Sequence, residues 1–416
     1  MVKPKTMLTP PLGKDCRHRL ALLGSLCFFL SAIEYLIPKP LPFMRIGLAN
    51  MPLLLALDIF SPGNFFLLVL LKIIGQGIIG GMIFSHVFLF SIAGTLSSAL
   101  VMFALRRLLG KKLIGFAGLG CAGAMASNSA QLLLARYLVF GPALRYMTAP
   151  FLASGLVTGI SLGLLCEYFC RRSVWYSYAM LRKFTTEDTE EEHGGTEEYA
   201  GRNDSHINNS VELRETPWLN IFKVTRAVLL FITGLLMALI FMFSHSIEVR
   251  AARFLFFLLL ALFFRKKINL LTTLLFMISI VFFHLLVPSG KVLASLGPLR
   301  ITLGSLYAGV DKALVVLGLV IISRVCVRSD LRLPGTIGAL LGESLRMLEL
   351  MRERRGTLNR KQLISSIDQL LFEVEAVKPE EPANTQTEKQ GINVKTVLLL
   401  CAMVLITAGM SLIPHS

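Results

Sequence analysis

Residues 64–105 read NFFLLVLLKIIGQGIIGGMIFSHVFLFSIAGTLSSALVMFAL, and along this whole run the one acidic or basic side chain besides His86 is Lys72. A helix rises ~1.5 Å per residue, so about twenty apolar residues cross the hydrocarbon of a bilayer. The run therefore holds two crossings, at 64–84 and 86–105. Its apolar residues are continuous rather than alternating, which excludes a transmembrane barrel, and in lipid a helix is the remaining way to satisfy every backbone group. Similar runs recur outward in both directions. With 54% hydrophobic and 16% charged residues and a mean hydropathy of +0.66, the chain carries more apolar surface than a single soluble core hides. The runs far exceed one removable signal segment, and no cleavable signal peptide is evident.

Eleven spans are predicted, at 20–37, 46–60, 64–84, 86–105, 113–140 and 146–170, then at 221–243, 249–264, 268–287, 301–323 and 395–413. The fold class is all-α: a polytopic integral membrane protein with a six-helix bundle and a five-helix bundle. A tail at 1–19 precedes the first bundle, 20–172. Between Arg182 and Pro217 the composition inverts, with Glu187, Asp188, Glu190, Glu191 and Glu192 in a stretch almost without large aliphatics. Such a segment cannot bury enough apolar area to order itself, so 182–217 reads as an acidic flexible linker. The second bundle, 219–323, is followed by 334–378, where Leu340, Leu341, Leu345, Leu348, Leu363, Ile367, Leu370 and Leu371 recur at helical spacing around Arg354-Arg355-Gly356. Two amphipathic helices with a glycine turn are expected there. A polar linker, 379–394, leads to the last span.

A formal net charge of +16 raises nucleic-acid binding, but in a membrane protein the first question is where the basic residues lie relative to the spans. With the N-terminus in the cytoplasm and sides alternating, most Lys and Arg fall inside: in the tail, at Arg106, Arg107, Lys111 and Lys112, in the central linker, at Arg265, Lys266 and Lys267, and from Arg324 to Lys395. The reading is a bacterial cytoplasmic membrane protein with the N-terminus and central linker inside, the C-terminus outside, lipid as its surroundings and no nucleic-acid partner.

Polar groups at membrane depth are costly and so are candidates for function. In the first bundle these are Glu34, Asn50, Asp58, Lys72, Gln76, Asn128, Gln131 and Arg136. Lys72 with Gln76 (i,i+4) and Asn128 with Gln131 (i,i+3) each share a helix face, which allows them to meet in one cavity; interhelical hydrogen bonding is the structural alternative, and Arg136 is placed to snorkel from its span. Glu34, Asn50, Lys72, Gln76, Asn128 and Gln131 are taken as the candidate substrate-binding set. Dense glycines from Gly75 to Gly163 suit close helix packing. No phosphate-binding loop, GxSxG elbow, HExxH or aspartate-rich diphosphate motif is present, and the seven cysteines form no CxxC pair. No catalytic residue, metal site or cofactor is expected, and catalysis by this chain alone is not supported.

The run Glu34…Pro38-Lys39-Pro40-Leu41-Pro42…Gly47-Leu48-Ala49-Asn50, followed by Lys72, Gly80, Phe84-Ser85, Ser91, Gly94, Ser98, Met102 and Gly123…Asn128…Gln131, resembles the Gx transporter family, also called heptaprenyl diphosphate synthase component I, over about 18–172. That family is similar to the substrate-binding S components of energy-coupling factor transporters. The resemblance implies that the six spans capture a small molecule near the outer face, with Pro38, Pro40 and Pro42 in a gate loop. The layout of 219–416 is similar to the T component of such transporters, whose Ala-Arg-Gly motifs dock on ATPase subunits. Arg354, Arg355 and Gly356 resemble one such coupling copy, with arginine where the motif has alanine and with no second copy.

Three functions are carried forward. In the first, the chain is the membrane component of a small-molecule uptake transporter with separate ATPase subunits bound at 336–377. In the second, it is an accessory membrane subunit of polyprenyl diphosphate synthesis with a soluble synthase partner. In the third, it is a membrane scaffold for a redox or flavin-handling complex, which no cofactor motif supports.

Overall fold

The computed structural model describes residues 16–36, 47–180, 226–243, 246–264, 270–296, 299–327, 335–354, 363–376 and 394–409. Pro38, Pro40 and Pro42, the acidic linker, Arg355 and Gly356 lie outside the described residues.

The first bundle comprises α1 (Cys16–Leu36), α2 (Met51–Ile59), α3 (Pro62–Gly80), α4 (His86–Leu113), α5 (Phe116–Ala135) and α6 (Arg145–Arg172), with helical residues 174–180 behind it. Its boundaries follow from local chemistry. Gly47, at φ 85°, begins a single 3-10 turn, Leu48–Asn50, that leads into α2; a positive φ is open to glycine without steric cost. Pro62 opens α3, where no helical N–H is lost, and Gly81 ends it in the left-handed region at φ 56°. The Ser85 hydroxyl accepts from Phe88 N–H and caps α4. The expected span 113–140 is interrupted, because α5 stops at Ala135 and the chain passes through a π turn, Arg136–Phe140, and a 3-10 turn, Gly141–Leu144, before α6.

Helices α5 and α6 touch backbone to backbone. A Cβ on Gly163 would lie 2.3 Å from Phe116 O, and one on Gly120 would lie 2.5 Å from Gly159 O. Close approach through small residues is how helices associate where lipid supplies no hydrophobic drive.

The second bundle comprises α7 (Arg226–Met242), α8 (Ile247–Phe263), α9 (Leu270–Leu285), α10 (Leu303–Cys326) and, later in the chain, α13 (Val394–Gly409). Its core is built from Phe241, Phe257, Ala261, Ile322, Cys326 and Met403, with the Phe241 and Phe257 rings edge to face at 5.7 Å. The structure adds an element that the all-α expectation lacked: an antiparallel hairpin of β1 (Val292–Leu296) and β2 (Leu299–Thr302), pairing Ser295 with Arg300 and Leu296 with Leu299.

The amphipathic helices are present as α11 (Gly335–Glu353) and α12 (Leu363–Ala376). Their apolar faces do not lie open to a lipid surface. Leu340, Leu341, Met347, Leu348 and Met351 of α11 and Leu370, Leu371 and Val374 of α12 are buried in the same core as α1, α3 and Trp175. Polar bonds fix the seat: His18 Nδ1 to Glu343 Oε1 at 2.7 Å, Trp175 Nε1–H donating to Glu375 Oε2 at 2.7 Å, and Ser173 Oγ–H and Val174 N–H donating to the two oxygens of Asp368 at 2.5 and 2.8 Å.

The end of the first bundle where α1 begins is its proximal end; the turns at 81–85 and 136–144 lie at its distal end. Strict alternation of sides puts the turn at 81–85 and Arg324 on opposite faces of a membrane. The structure puts them together, with Phe84 N–H donating to Ser323 Oγ at 3.3 Å and Gly81 against Arg324. At the same rim, Val139, Phe140 and Met147 share a core with Ile280, Ala313 and Val316. Helix α10 thus packs along the distal rim of the first bundle.

Among the described residues, five stretches are long and apolar enough to cross a membrane: Cys16–Glu34, Pro62–Gly80, His86–Leu113, Phe116–Arg172 and Leu303–Cys326, the fourth holding α5 and α6 back to back. Leu48–Ile59, Val228–Met242 and Thr273–Leu285 are apolar but short. The all-α architecture holds, and among the described residues the count of eleven crossings is not confirmed. Apolar sequence counts turn residues as well as helix: expected span 46–60 yields nine residues of α2, roughly 14 Å of helix against a hydrocarbon core of about 30 Å.

Candidate functional site

A cavity of about 160 Å³ lies inside the first bundle, and Glu34, Asn50, Lys72, Gln76, Asn128 and Gln131 all line it. Each arrives from a different local cause. Glu34 sits in the last turn of α1 and accepts Gly47 N–H at 3.1 Å. The 3-10 turn started by Gly47 then presents Asn50, whose Oδ1 receives a hydrogen bond from Lys72 Nζ. Lys72, 2% exposed, and Glu34, 6% exposed, are thus two opposite charges linked through the 47–50 turn. A buried charge left alone would be far costlier than one held by hydrogen bonds.

Gln76 stands one turn beyond Lys72 on α3, and its Oε1 is buried with no hydrogen-bond partner among the described residues. On α5, Asn128 Nδ2–H donates to Phe151 O at 2.9 Å and Gln131 Nε2–H donates to Ser127 Oγ at 2.9 Å. Glycine leaves room for both amides: a Cβ on Gly155 would fall 2.0 Å from Asn128 Nδ2 and one on Gly94 would fall 2.4 Å from Gln131 Nε2. The glycines at 94 and 155 therefore belong to the wall of the cavity as well as to helix packing.

Sequence reasoning missed the hydroxyls. Ser31, Ser91, Thr95, Ser98, Ser127 and Thr158 also line the cavity. The spacing of Ser91, Thr95 and Ser98 was the available signal, since i, i+4 and i+7 mark one helix face. Among the described residues, no aromatic ring lines the cavity.

Two other polar residues of the first bundle lie elsewhere. Asp58, at the proximal end, receives a forked pair from Arg106, Nε at 2.9 Å and Nη2 at 2.6 Å, with Lys111 Nζ at 3.5 Å and the Tyr176 hydroxyl donating at 3.3 Å. Arg106 also donates to Ile114 O at 2.8 Å and covers the Phe116 ring. Burial, above all, pushes the Tyr176 phenol up, so that it stays a proton donor to Asp58. This is a clasp across α2, α4 and α5, not part of the cavity. Arg136 is exposed. In the second bundle, Arg250 pairs with Asp311 and buried Arg253 donates to Ile240 O at 3.1 Å, charges inside expected spans that the sequence reading passed over. Of the coupling residues, Arg354 is described and pairs with Glu373 of α12. No group of three or more His, Cys, Asp or Glu that could hold a metal ion occurs among the described residues.

The geometry describes a polar chamber in an apolar bundle, whose described residues are able to hold a solute by hydrogen bonds and by Glu34 and Lys72. Residues 226–329 match a family model described as a domain of unknown function. No curated protein matches the chain, and no solved structure matches it. Residues 23–169 match the family model described as heptaprenyl diphosphate synthase component I, which begins in α1, ends in α6 and takes in every residue of the cavity wall. In its first bundle the chain is thus similar to the heptaprenyl diphosphate synthase component I family.

Proposed function

We propose that this chain is the membrane component of an uptake transporter of the energy-coupling factor kind, in which the first bundle captures a small solute and the second part couples it to separate ATPase subunits. The carrying observation is the chamber: six polar residues that lipid would penalise converge on one cavity, with an amide oxygen left for a ligand donor. Coupling is supported by α11 and α12, which are seated on α1, the helix that also supplies Glu34. A partner that binds these helices differently in two states shifts the balance between two positions of the first bundle. In this reading the chain lies in a bacterial cytoplasmic membrane with its N-terminus and central linker inside and its C-terminus outside, and Pro38, Pro40 and Pro42 belong to a gate loop.

A second reading rests on the family's description: an accessory membrane subunit that recruits a soluble prenyl diphosphate synthase. One experiment separates the two. Full-length protein is affinity-purified from its native membrane alongside an Arg354→Ala/Arg355→Ala variant, and the co-purifying chains are identified. Because Arg354 also ties α11 to α12 through Glu373, Glu373→Gln is the control for loss of that tie alone. ATPase subunits that are retained by Glu373→Gln and lost by the arginine variant are the expected result. A prenyl synthase subunit, or partners indifferent to the arginines, would sink the coupling role.

A further inference from the structure

We infer that the proximal end of the first bundle, where α4 ends, α5 begins and α6 ends, is a binding site for the headgroup of an anionic phospholipid. The connection from α4 to α5 is built around Gly110, whose φ of 68° and ψ of 179° interrupt the helix in a conformation that residues with a Cβ rarely adopt. Beyond it the chain changes direction. Lys111 comes within 3.5 Å of Asp58, whereas Lys112 and Leu113 remain exposed. The end of α6 is brought to the same place: Glu167, which Arg171 meets at 2.7 Å, lies 3.9 Å from where a Cβ on Gly115 would stand.

Charge and apolar surface meet there in a pattern that suits neither water nor hydrocarbon. Arg106 and Lys111 share Asp58, and Arg171 has Glu167. Arg107, Lys112 and Arg172 are exposed and pair with no acid among the described residues. Next to them in the chain stand Leu108 and Leu113, 80% and 79% exposed. Arg172 covers the ring of Tyr168, 5.0 Å from its centre, and Tyr168 is itself half exposed; a tyrosine, with an apolar body and a polar tip, favours the level of the headgroups. Water leaves the leucines bare and hydrocarbon penalises the cations, so the boundary between headgroups and acyl chains is the environment that satisfies both. A zwitterionic headgroup brings its own cation and leaves the basic side chains unmatched, whereas an anionic one supplies the charge that they lack. The chain's own acids between 187 and 198 have the right sign, but that stretch is almost without large aliphatics and would leave Leu108 and Leu113 uncovered.

The test is native mass spectrometry of the full-length protein in a neutral detergent, with phosphatidylglycerol, phosphatidylcholine and inorganic phosphate as probes. Phosphatidylglycerol is expected to bind at concentrations where phosphatidylcholine does not. That binding is expected to weaken roughly tenfold or more in Arg107→Gln/Lys112→Gln/Arg172→Gln and to weaken also in Leu108→Ser/Leu113→Ser. It is expected to stay unchanged in Arg136→Gln/Arg145→Gln, which removes exposed cations from the distal end instead. The altered side chains lie outside the Asp58 clasp; if the triple variant nevertheless does not fold, Arg107→Gln and Lys112→Gln singly, each weakening binding about threefold or more, decide. Equal binding of the two lipids, or equal loss in the proximal and distal variants, overturns the site. Displacement of phosphatidylglycerol by an equal concentration of inorganic phosphate marks a free anion as the ligand and overturns the lipid. Binding that emerges only in Glu190→Gln/Glu191→Gln/Glu192→Gln marks the chain's own acids as the occupant and overturns it as well.

Discussion

Glu34 and Asp58 are both carboxylates buried in the first bundle, and their partners set them apart. Glu34 accepts a backbone N–H beside a cavity, whereas Asp58 is held by a forked arginine, a lysine and a phenol at the proximal end. Removing one member of a buried ion pair strands the other, at ~3–5 kcal/mol, while replacing both by apolar residues costs far less. Arg106→Leu is therefore expected to lower the unfolding midpoint steeply and Asp58→Leu/Arg106→Leu much less, with Tyr176→Phe losing about 1 kcal/mol. Equal damage from the single and double variants would show that Asp58 and Arg106 do not act as a pair. At this scale the chamber was half legible. Lysine, glutamate and the carboxamides announce themselves in an apolar run because lipid cannot satisfy them. Ser91, Thr95 and Ser98 carry no such signal, because a helical hydroxyl can bond to a carbonyl of its own helix, as Thr233 does with Leu229 O at 2.8 Å.

Helix contacts give a second prediction. Gly163 faces the Phe116 carbonyl so closely that a methyl group must push backbone against backbone, whereas Gly63, in the first turn of α3, has open space around it. Gly163→Ala is expected to cost about 1–3 kcal/mol and Gly63→Ala nothing or less, measured as midpoints of unfolding in the same detergent. A neutral Gly163→Ala would mean that α5 and α6 stand farther apart than the structure has them. The existence of most helices could be read from run length, since a mostly apolar run of the 24 residues that α10 has admits few other fates. The hairpin at 292–302 could not, because two strands of four or five residues leave little periodicity to detect. Nor could the seat of α11 and α12: an amphipathic pattern states that a face must be covered and leaves open whether lipid, a partner or the same chain covers it.

For the whole molecule the informative contact is the one between the turn at 81–85 and the end of α10. Counting spans assigns these to opposite faces, because counting assumes that every helix crosses in parallel. Lateral packing of one bundle on another is decided by side chains far apart in sequence, such as Phe140 and Phe283, whose rings lie 6.0 Å apart. On a cysteine-free background, Phe84→Cys/Ser323→Cys is expected to form an intramolecular disulfide under mild oxidation, since Phe84 N and Ser323 Oγ are 3.3 Å apart and a disulfide requires close Cα atoms. Bundles standing side by side would hold these positions a membrane's thickness apart, and no cross-link would form.

Helix α1 reaches from His18, bonded to α11, to Glu34, bonded to the turn at the chamber. Sixteen residues of helix make a stiff rod of roughly 24 Å, so a swing of about 5° about one end displaces the other by roughly 2 Å. A bond of 3.1 Å between Gly47 N–H and Glu34 does not survive that displacement. The rod is a lever with one arm in each compartment of the molecule: a nudge to α11 too small to unseat its apolar face is enough to unlatch the chamber wall, and a ligand that holds the latch shut stiffens the seat at the far end.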